Sequence, residues 1–265
     1  MEKVKKLKFT KSILLAILLL VCAVFLTACG GGTPIERSES LTALSNTFST
    51  EALAEIGDYR AVVSYDVNSY GDERVSKINQ STTLEADMDN MVAYSTNSLT
   101  VSLTTSGAVE GVSTSDLNMS YYIGAIDGSN YMVNTEKLAY SPVTTSLEDY
   151  ISYQSMVFGL IQVVDDNMLA SVTVTREEHS KINENSFNIY FEITATEESQ
   201  TTNGFIYYEI RDGRLTKYER SSSTLNGETL TYENRISIEI SYSEYEFTMP
   251  TSLEGYQETS FDLSI

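Results

Sequence analysis

Two thiols and one imidazole are the side chains of this sequence best suited to covalent or metal chemistry: Cys22, Cys29 and His179. Cys22 lies inside an uninterrupted apolar run from Ile13 to Leu26, and Cys29 follows that run after the small residues Thr27 and Ala28. A thiol placed there, with small neighbours that let an enzyme approach the backbone, suits acylation. His179 stands in the polar stretch TREEHSKINEN, which reads as a hairpin end with an exposed turn histidine rather than a triad or metal site. The adjacent carboxylates Glu177/Glu178 and Asp165/Asp166 read as surface charge, since nothing selects either pair for glycosidic chemistry. LEADMDNM, from Leu84 to Met91, lacks the glycine and distal glutamate of a calcium loop and reads as a strand end and turn. No G-x-S-x-G, phosphate loop or dinucleotide fingerprint occurs. The expectation is a non-enzymatic chain with no catalytic residue, no metal ligand and no cofactor.

A basic start with Lys3, Lys5, Lys6, Lys8 and Lys11 precedes the apolar run, which is shorter than the roughly 20 residues of a spanning helix. Basic, apolar and small-residue regions in that order suit a secretory signal peptide. Leu26-Thr27-Ala28-Cys29 resembles the lipobox of bacterial lipoprotein precursors. That resemblance implies cleavage after Ala28 and a diacylglycerol on the Cys29 thiol. Each buried methylene contributes about 0.8 kcal/mol, so two or three acyl chains on one residue hold a protein at a membrane. The expected organisation is a signal peptide over 1–28, a lipidated flexible tether over 29–40 and one folded domain over 41–265. As coil, Gly30 to Ser40 would span roughly 17 to 20 Å. Cys22 leaves with the signal peptide, so the mature chain has no disulfide and must rely on its core.

Charge narrows the partners. Taking the five lysines and Glu2 of the signal peptide from totals of 17 basic and 37 acidic residues leaves 12 against 36, a formal −24. A chain so acidic has no basic footprint for nucleic acid or for anionic lipid headgroups. Its acids are spread along the sequence, as on a solvated surface.

Alternation of apolar and polar residues dominates the rest. Val63, Tyr65 and Val67 share a face, as do Leu84, Ala86 and Met88, and Leu99, Val101 and Leu103. The same rule holds for Met119, Tyr121 and Ile123, for Val172 and Val174, for Phe187, Ile189, Phe191 and Ile193, and for Ile236, Ile238, Ile240 and Tyr242. Period two describes strands with one covered and one wet face. Asp127-Gly128, Asp212-Gly213 and Asn226-Gly227 mark tight hairpin turns between antiparallel neighbours. Against these strands stands SLEDYISYQSMVFGLIQVVDDNML, Ser146 to Leu169, whose apolar residues recur at helical spacing. Thr145 or Ser146 would cap this helix, with Glu148 or Asp149 three residues on. Met156, Leu160 and Val163 widen its stripe beyond an ordinary amphipathic face, and Gly159 interrupts it. A second helix is expected within 40–56. The fold class is α+β: a single large antiparallel sheet of roughly nine to eleven strands, curled into an open half-barrel, with helices covering its concave face.

AIDGSNYMVNTEKLAYSP and the tail from Glu209 to Tyr256 resemble segments of LolA/LolB-type lipoprotein carriers, related to LppX/LprG-like surface lipoproteins. In that superfamily an Asp-Gly turn leads into an aromatic strand, and the last strand closes in Phe-x-x-Pro, here Phe247 to Pro250. The resemblance is one of pattern over about residues 40 to 256. It implies a half-barrel whose helices cap an apolar cavity for lipid or acyl chains; other members act through protein contacts. The chain departs from the carriers in having no tryptophan and no Arg-Pro segment after the first strands, and lipidation implies a fixed receptor rather than a shuttle. By analogy it looks like a surface lipoprotein of a Gram-positive cell, anchored on the outer face of the membrane. The candidate cavity lining is Tyr121, Ile123, Tyr150, Met156, Val157, Phe158, Ile161, Phe187 and Phe191. Two readings stand: these residues bound a space for a hydrophobic ligand, or they close into a filled core and the domain works through an envelope protein partner. Metabolic labelling with radioactive palmitate is expected to mark Cys29; a bare residue 29 would overturn the membrane address.

Overall fold

The computed structural model describes residues 32–71, 74–105, 111–152 and 156–259; the expected signal peptide, the segment resembling a lipobox and Cys29 lie outside the described residues. Thirteen strands form one sheet: β1 (Thr33–Pro34), β2 (Tyr59–Tyr70), β3 (Arg74–Asp87), β4 (Val92–Thr105), β5 (Gly111–Ile126), β6 (Ser129–Asn134), β7 (Ala139–Pro142), β8 (Thr173–Asn183), β9 (Ser186–Glu197), β10 (Gln200–Arg211), β11 (Arg214–Asn226), β12 (Thr229–Ser241) and β13 (Gln257–Glu258). Their order is β1-β8-β9-β10-β11-β12-β2-β3-β4-β5-β6-β7-β13, and the sheet curls without closing, an open half-barrel. All pairs are antiparallel except β7 with β13, so the sheet is mixed at one edge. The strand count exceeds expectation because β1 and β13, two residues each, extend both edges. Hairpin turns fall where the Gly dipeptides put them. Asp127 and Gly128 have φ of 50° and 80°, and Asp212 and Gly213 have 51° and 78°. Those angles give a turn the twist its flanking strands need, and glycine adopts them without strain.

The covering layer differs from the single helix expected over Ser146 to Leu169. Helix α1 spans Arg37–Thr47 and α2 Thr50–Ala54, close to the expected N-terminal helix. Further on, α3 covers Leu147–Ile151, a 3-10 turn Phe158–Leu160, and α4 Asp166–Ala170. Between the turn and α4, the backbone from Ile161 leaves the helix. The capping expectation holds at Ser146, which accepts from the Asp149 N–H at 3.1 Å. Continuation fails for identifiable reasons. Gly159 is entropically costly in a helix and the β-branched Val157, Ile161, Val163 and Val164 are poor formers. Asp165 then caps a new helix by accepting from the Met168 N–H at 2.7 Å.

What replaces the helical hydrogen bonds is a set of buried tyrosines rising from the sheet. Tyr208 on β10 donates its hydroxyl to the Gln162 carbonyl and accepts from the Val164 N–H at 3.2 Å. Tyr218 on β11 accepts from the Gln162 N–H at 3.1 Å, and Tyr59 on β2 donates to the Ile151 carbonyl at 2.9 Å. All three side chains belong to fully buried residues. Burial pushes their phenols up, so they stay neutral in the interior. Phe48, just past α1, joins the layers, with its ring 5.6 Å from Phe158 and 6.2 Å from Tyr208.

At the opposite end of the sheet order, residues before the expected boundary at residue 41 already belong to the fold. Thr33 and Pro34 pair with Lys181 and Ser180, the Ile35 N–H reaches the His179 carbonyl at 3.2 Å, and Arg37 meets Glu177 at 2.6 Å. Residues 33–40 therefore hold the sheet edge instead of forming a free tether. His179 lies within β8 and not at an exposed turn: its side chain is 4 % exposed and its ring sits 4.7 Å from Phe191. The tail also differs from the resemblance. The long strand β12 ends at Ser241, before Phe247, which instead stacks 6.4 Å from Tyr94.

Two outcomes follow from these contacts. Tyr208→Phe orphans a carbonyl and an N–H of the covering segment, and urea unfolding should show a loss of about 1–3 kcal/mol. Burial pulls the His179 imidazole below its ordinary value, with Glu177 opposing the shift and Arg37 adding to it. The unfolded chain, titrating near roughly 6.5, then binds more protons than the fold. Stability from this residue is present above that value and declines as pH falls toward the lower folded value. His179→Phe should flatten the fall in thermal midpoint between about pH 7.5 and 5.5.

Candidate functional site

A partly open cavity of about 500 Å³ lies between the sheet and the covering segment. Its floor comes from five strands that present alternate residues inward. Ala61, Val63 and Tyr65 come from β2, Leu84, Thr82 and Gln80 from β3, and Ser95, Tyr121 and Ile236 from β4, β5 and β12. Met156, Val157, Gly159, Leu160, Ile161 and Gln162 form the roof. The space exists because the facing residues are short. Ala61, Ser95 and Thr82 reach little from the floor, and a Cβ added at Gly159 would meet nothing within 4 Å. The tyrosine contacts fix the roof's height by holding the backbone at Gln162 and Val164 rather than letting it settle onto the floor.

The polar groups are not scattered. At the inner end Tyr121 bonds to Ser95, and its phenol is pushed up by burial, with that bond opposing the rise. At the outer end, Arg220 of β11 enters the cavity with Tyr65, Gln80 and Gln162. The guanidinium donates to Gln162 Oε1 at 3.2 Å, and no carboxylate among the described residues lies within salt-bridge distance of it. None of the described residues lining the cavity is acidic. Register sets Arg220, Ile236, Tyr65, Gln80, Leu99 and Leu117 in one row across the sheet. The next row outward holds Val67, Ile78 and Val101, and beyond it Leu103 is 38 % exposed.

Of the residues expected to line a cavity, Tyr121, Met156, Val157 and Ile161 do so. Ile123 and Phe191 are fully buried in the core, and Phe187 is buried with them. Phe158 packs on Phe48, and Tyr150 is half-buried with its hydroxyl 3.5 Å from Met132 Sδ. Arg220, Gln80, Tyr65 and Gln162 were missed. A signal was present for the first: in Tyr218-Glu219-Arg220 the period of two puts a charge on the same face as a buried tyrosine. Three of the four adjacent carboxylates singled out earlier have structural partners. Glu177 pairs with Arg37, Glu178 with Arg176 and Asp165 caps α4. Asp87, in the acidic turn, accepts from Asn90 twice at 2.8 Å. Among the described residues no three His, Cys, Asp or Glu side chains cluster as metal ligands.

No family model and no curated protein matches the chain. Solved structures similar to parts of it include an S-type phycobiliprotein lyase from Guillardia theta, at 7 % identity over 80 % of this chain and 95 % of that one, with a TM-score of 0.19. A DUF1329 family protein from Desulfovibrio piger is similar at 10 % identity over 76 % of this chain and 92 % of that one, again with a TM-score of 0.19. Likeness at that level establishes neither a common fold nor a common activity.

Proposed function

We propose that this chain is a membrane-tethered, extracytoplasmic lipoprotein that binds a lipid or other hydrophobic ligand between its covering segment and its sheet. The observation that supports this reading is the cavity of about 500 Å³ beneath residues 156–162, where a filled core was the alternative. Its volume falls in the range of roughly 300–1,000 Å³ found for small-molecule sites, and its lining has the usual makeup of apolar walls with a few placed polar groups. Void of that size in a core would forfeit packing contacts, and a ligand restores them. The lipobox supplies the anchor in this reading, and β1 fixes the distance: Thr33 joins the sheet only a few residues after Cys29. The domain would therefore sit close against the bilayer, within reach of its lipids.

Native mass spectrometry of the mature chain, followed by organic extraction, is expected to recover a hydrophobic ligand at about one per chain. Val63→Phe should fill the floor and weaken binding of a fluorescent fatty acid at least about tenfold, with no loss of thermal midpoint. A tightly packed protein that carries no ligand and takes up none would overturn the reading.

A further inference from the structure

We propose that the ligand class of this cavity is an anionic amphiphile with one head, whose carboxylate or phosphate is received by Arg220 while its apolar tail lies under Met156 to Ile161. The inference rests on the binding reading above and specifies the chemistry of the same site.

Charge placement is the first argument. The chain holds 37 acidic and 17 basic residues, so a surface taken at random would present carboxylates. The described lining of the cavity presents none and instead holds a guanidinium. Several other cations of the sheet have carboxylate partners: Arg60 with Glu85, Arg211 with Glu209, Lys217 and Arg235 with Glu219. Arg74, Lys77 and Arg214 have none within salt-bridge distance among the described residues, but they do not line the cavity. Arg220 has the neutral amide of Gln162 instead. A charge taken partly out of water is costly unless an opposite charge joins it, and no such charge comes from the described residues. An arginine fork with free donors suits the paired oxygens of a carboxylate or phosphate.

Position is the second. Arg220 shares its row with Tyr65 and Gln80 at the outer end of the cavity, and the rows further in carry Val63, Ala61 and Leu84. Among the described lining residues the charge thus lies at one end, as an amphiphile requires: head at the row of Arg220, tail directed inward. The inner hydroxyls do not compete for the head, because Tyr121 and Ser95 bond to each other. Gln162 holds the guanidinium through its Oε1 while its amide nitrogen donates to Met168 Sδ at 3.5 Å, and Gln80 stands in the same row three strands away. A ligand with an uncharged head would leave the arginine uncompensated, so selectivity should be against it.

The test uses the full mature chain carrying Cys29→Ser, so that no attached acyl chain competes. Dodecanoate, dodecyl phosphate and methyl dodecanoate are titrated below their aggregation concentrations, against wild-type Arg220 and against Arg220→Met and Arg220→Lys. At least one of the two anions is expected to bind ten or more times tighter than the ester, and the preferred anion names the head. Arg220→Met should bring that anion to the ester's level and leave the ester unchanged; Arg220→Lys should retain part of the preference. Val63→Phe should weaken binding of the anion and of the ester alike, at least about tenfold. Ester and anions binding equally to the wild type would overturn the proposal and leave the cavity reading intact. Anion preference that survives Arg220→Met would place the head elsewhere and overturn it as well. Binding of none of the three would overturn both. Should Arg220→Met fail to fold, the wild-type comparison of anion with ester still decides.

Discussion

Backbone groups that leave a helix inside a protein must find partners, and here three phenols provide them. Tyr59, Tyr208 and Tyr218 stand on different strands yet converge on one irregular segment, where they take up the Ile151 and Gln162 carbonyls and the Gln162 and Val164 N–H groups. Phenols fit this task because the ring fills core while the hydroxyl both donates and accepts. An unpaired amide in the same place would cost about 1–3 kcal/mol. The exchange lets the covering segment run partly extended without losing hydrogen bonds, and the depth of the cavity depends on it.

A continuous helix over the same residues would have met the sheet differently. Ridges of side chains on a helix settle into a sheet at a fairly uniform distance and tend to fill the space below. The broken segment instead touches down at Val157, Ile161 and Val164, all buried, and bridges over short floor residues between them. Curvature of a long sheet supplies the concave surface, and the end rows at β1 and β13 stay apart, so the space keeps an open side. The outer row around Leu99 and Leu117 carries apolar residues onto that open side, and Leu117 is 44 % exposed.

Electrostatics separates inside from outside. Carboxylates dominate the sequence, and the ion pairs of the described residues hold sheet edges and outer faces: Arg37 with Glu177 and Lys181 with Glu39 fasten the N-terminal segment to β8. Such exposed pairs contribute little each, about 0–1 kcal/mol. Their value here is positional, since together with β1 they decide where the N-terminal segment enters the fold. The inward face carries almost none of that charge. Arg220 is the exception that gives the cavity a polar end.

Local signals were enough for the strands. Alternation in Phe187 to Ile193 and Ile236 to Tyr242, with Asp-Gly at 127–128 and 212–213, specified faces and hairpins because period and turn chemistry act between near neighbours. Capping at Ser146 was legible for the same reason, and the resemblance to a lipobox rests on sequence alone. The fate of Ser146 to Leu169 was not legible. Its apolar spacing fits a helix; Gly159 and the β-branched residues weaken it locally, and the backbone groups it gives up are taken by hydroxyls on Tyr208 and Tyr218, some fifty residues away in the chain. The burial of His179 escaped for a like reason, since Phe191 and residues 33–37 cover it from other strands. So did the sorting of Tyr121 into the cavity and Ile123 into the core, two residues of one strand face. Periodicity tells which side of a strand avoids water; whether the space on that side is filled depends on the heights of facing residues from distant segments, which only the assembled tertiary structure sets.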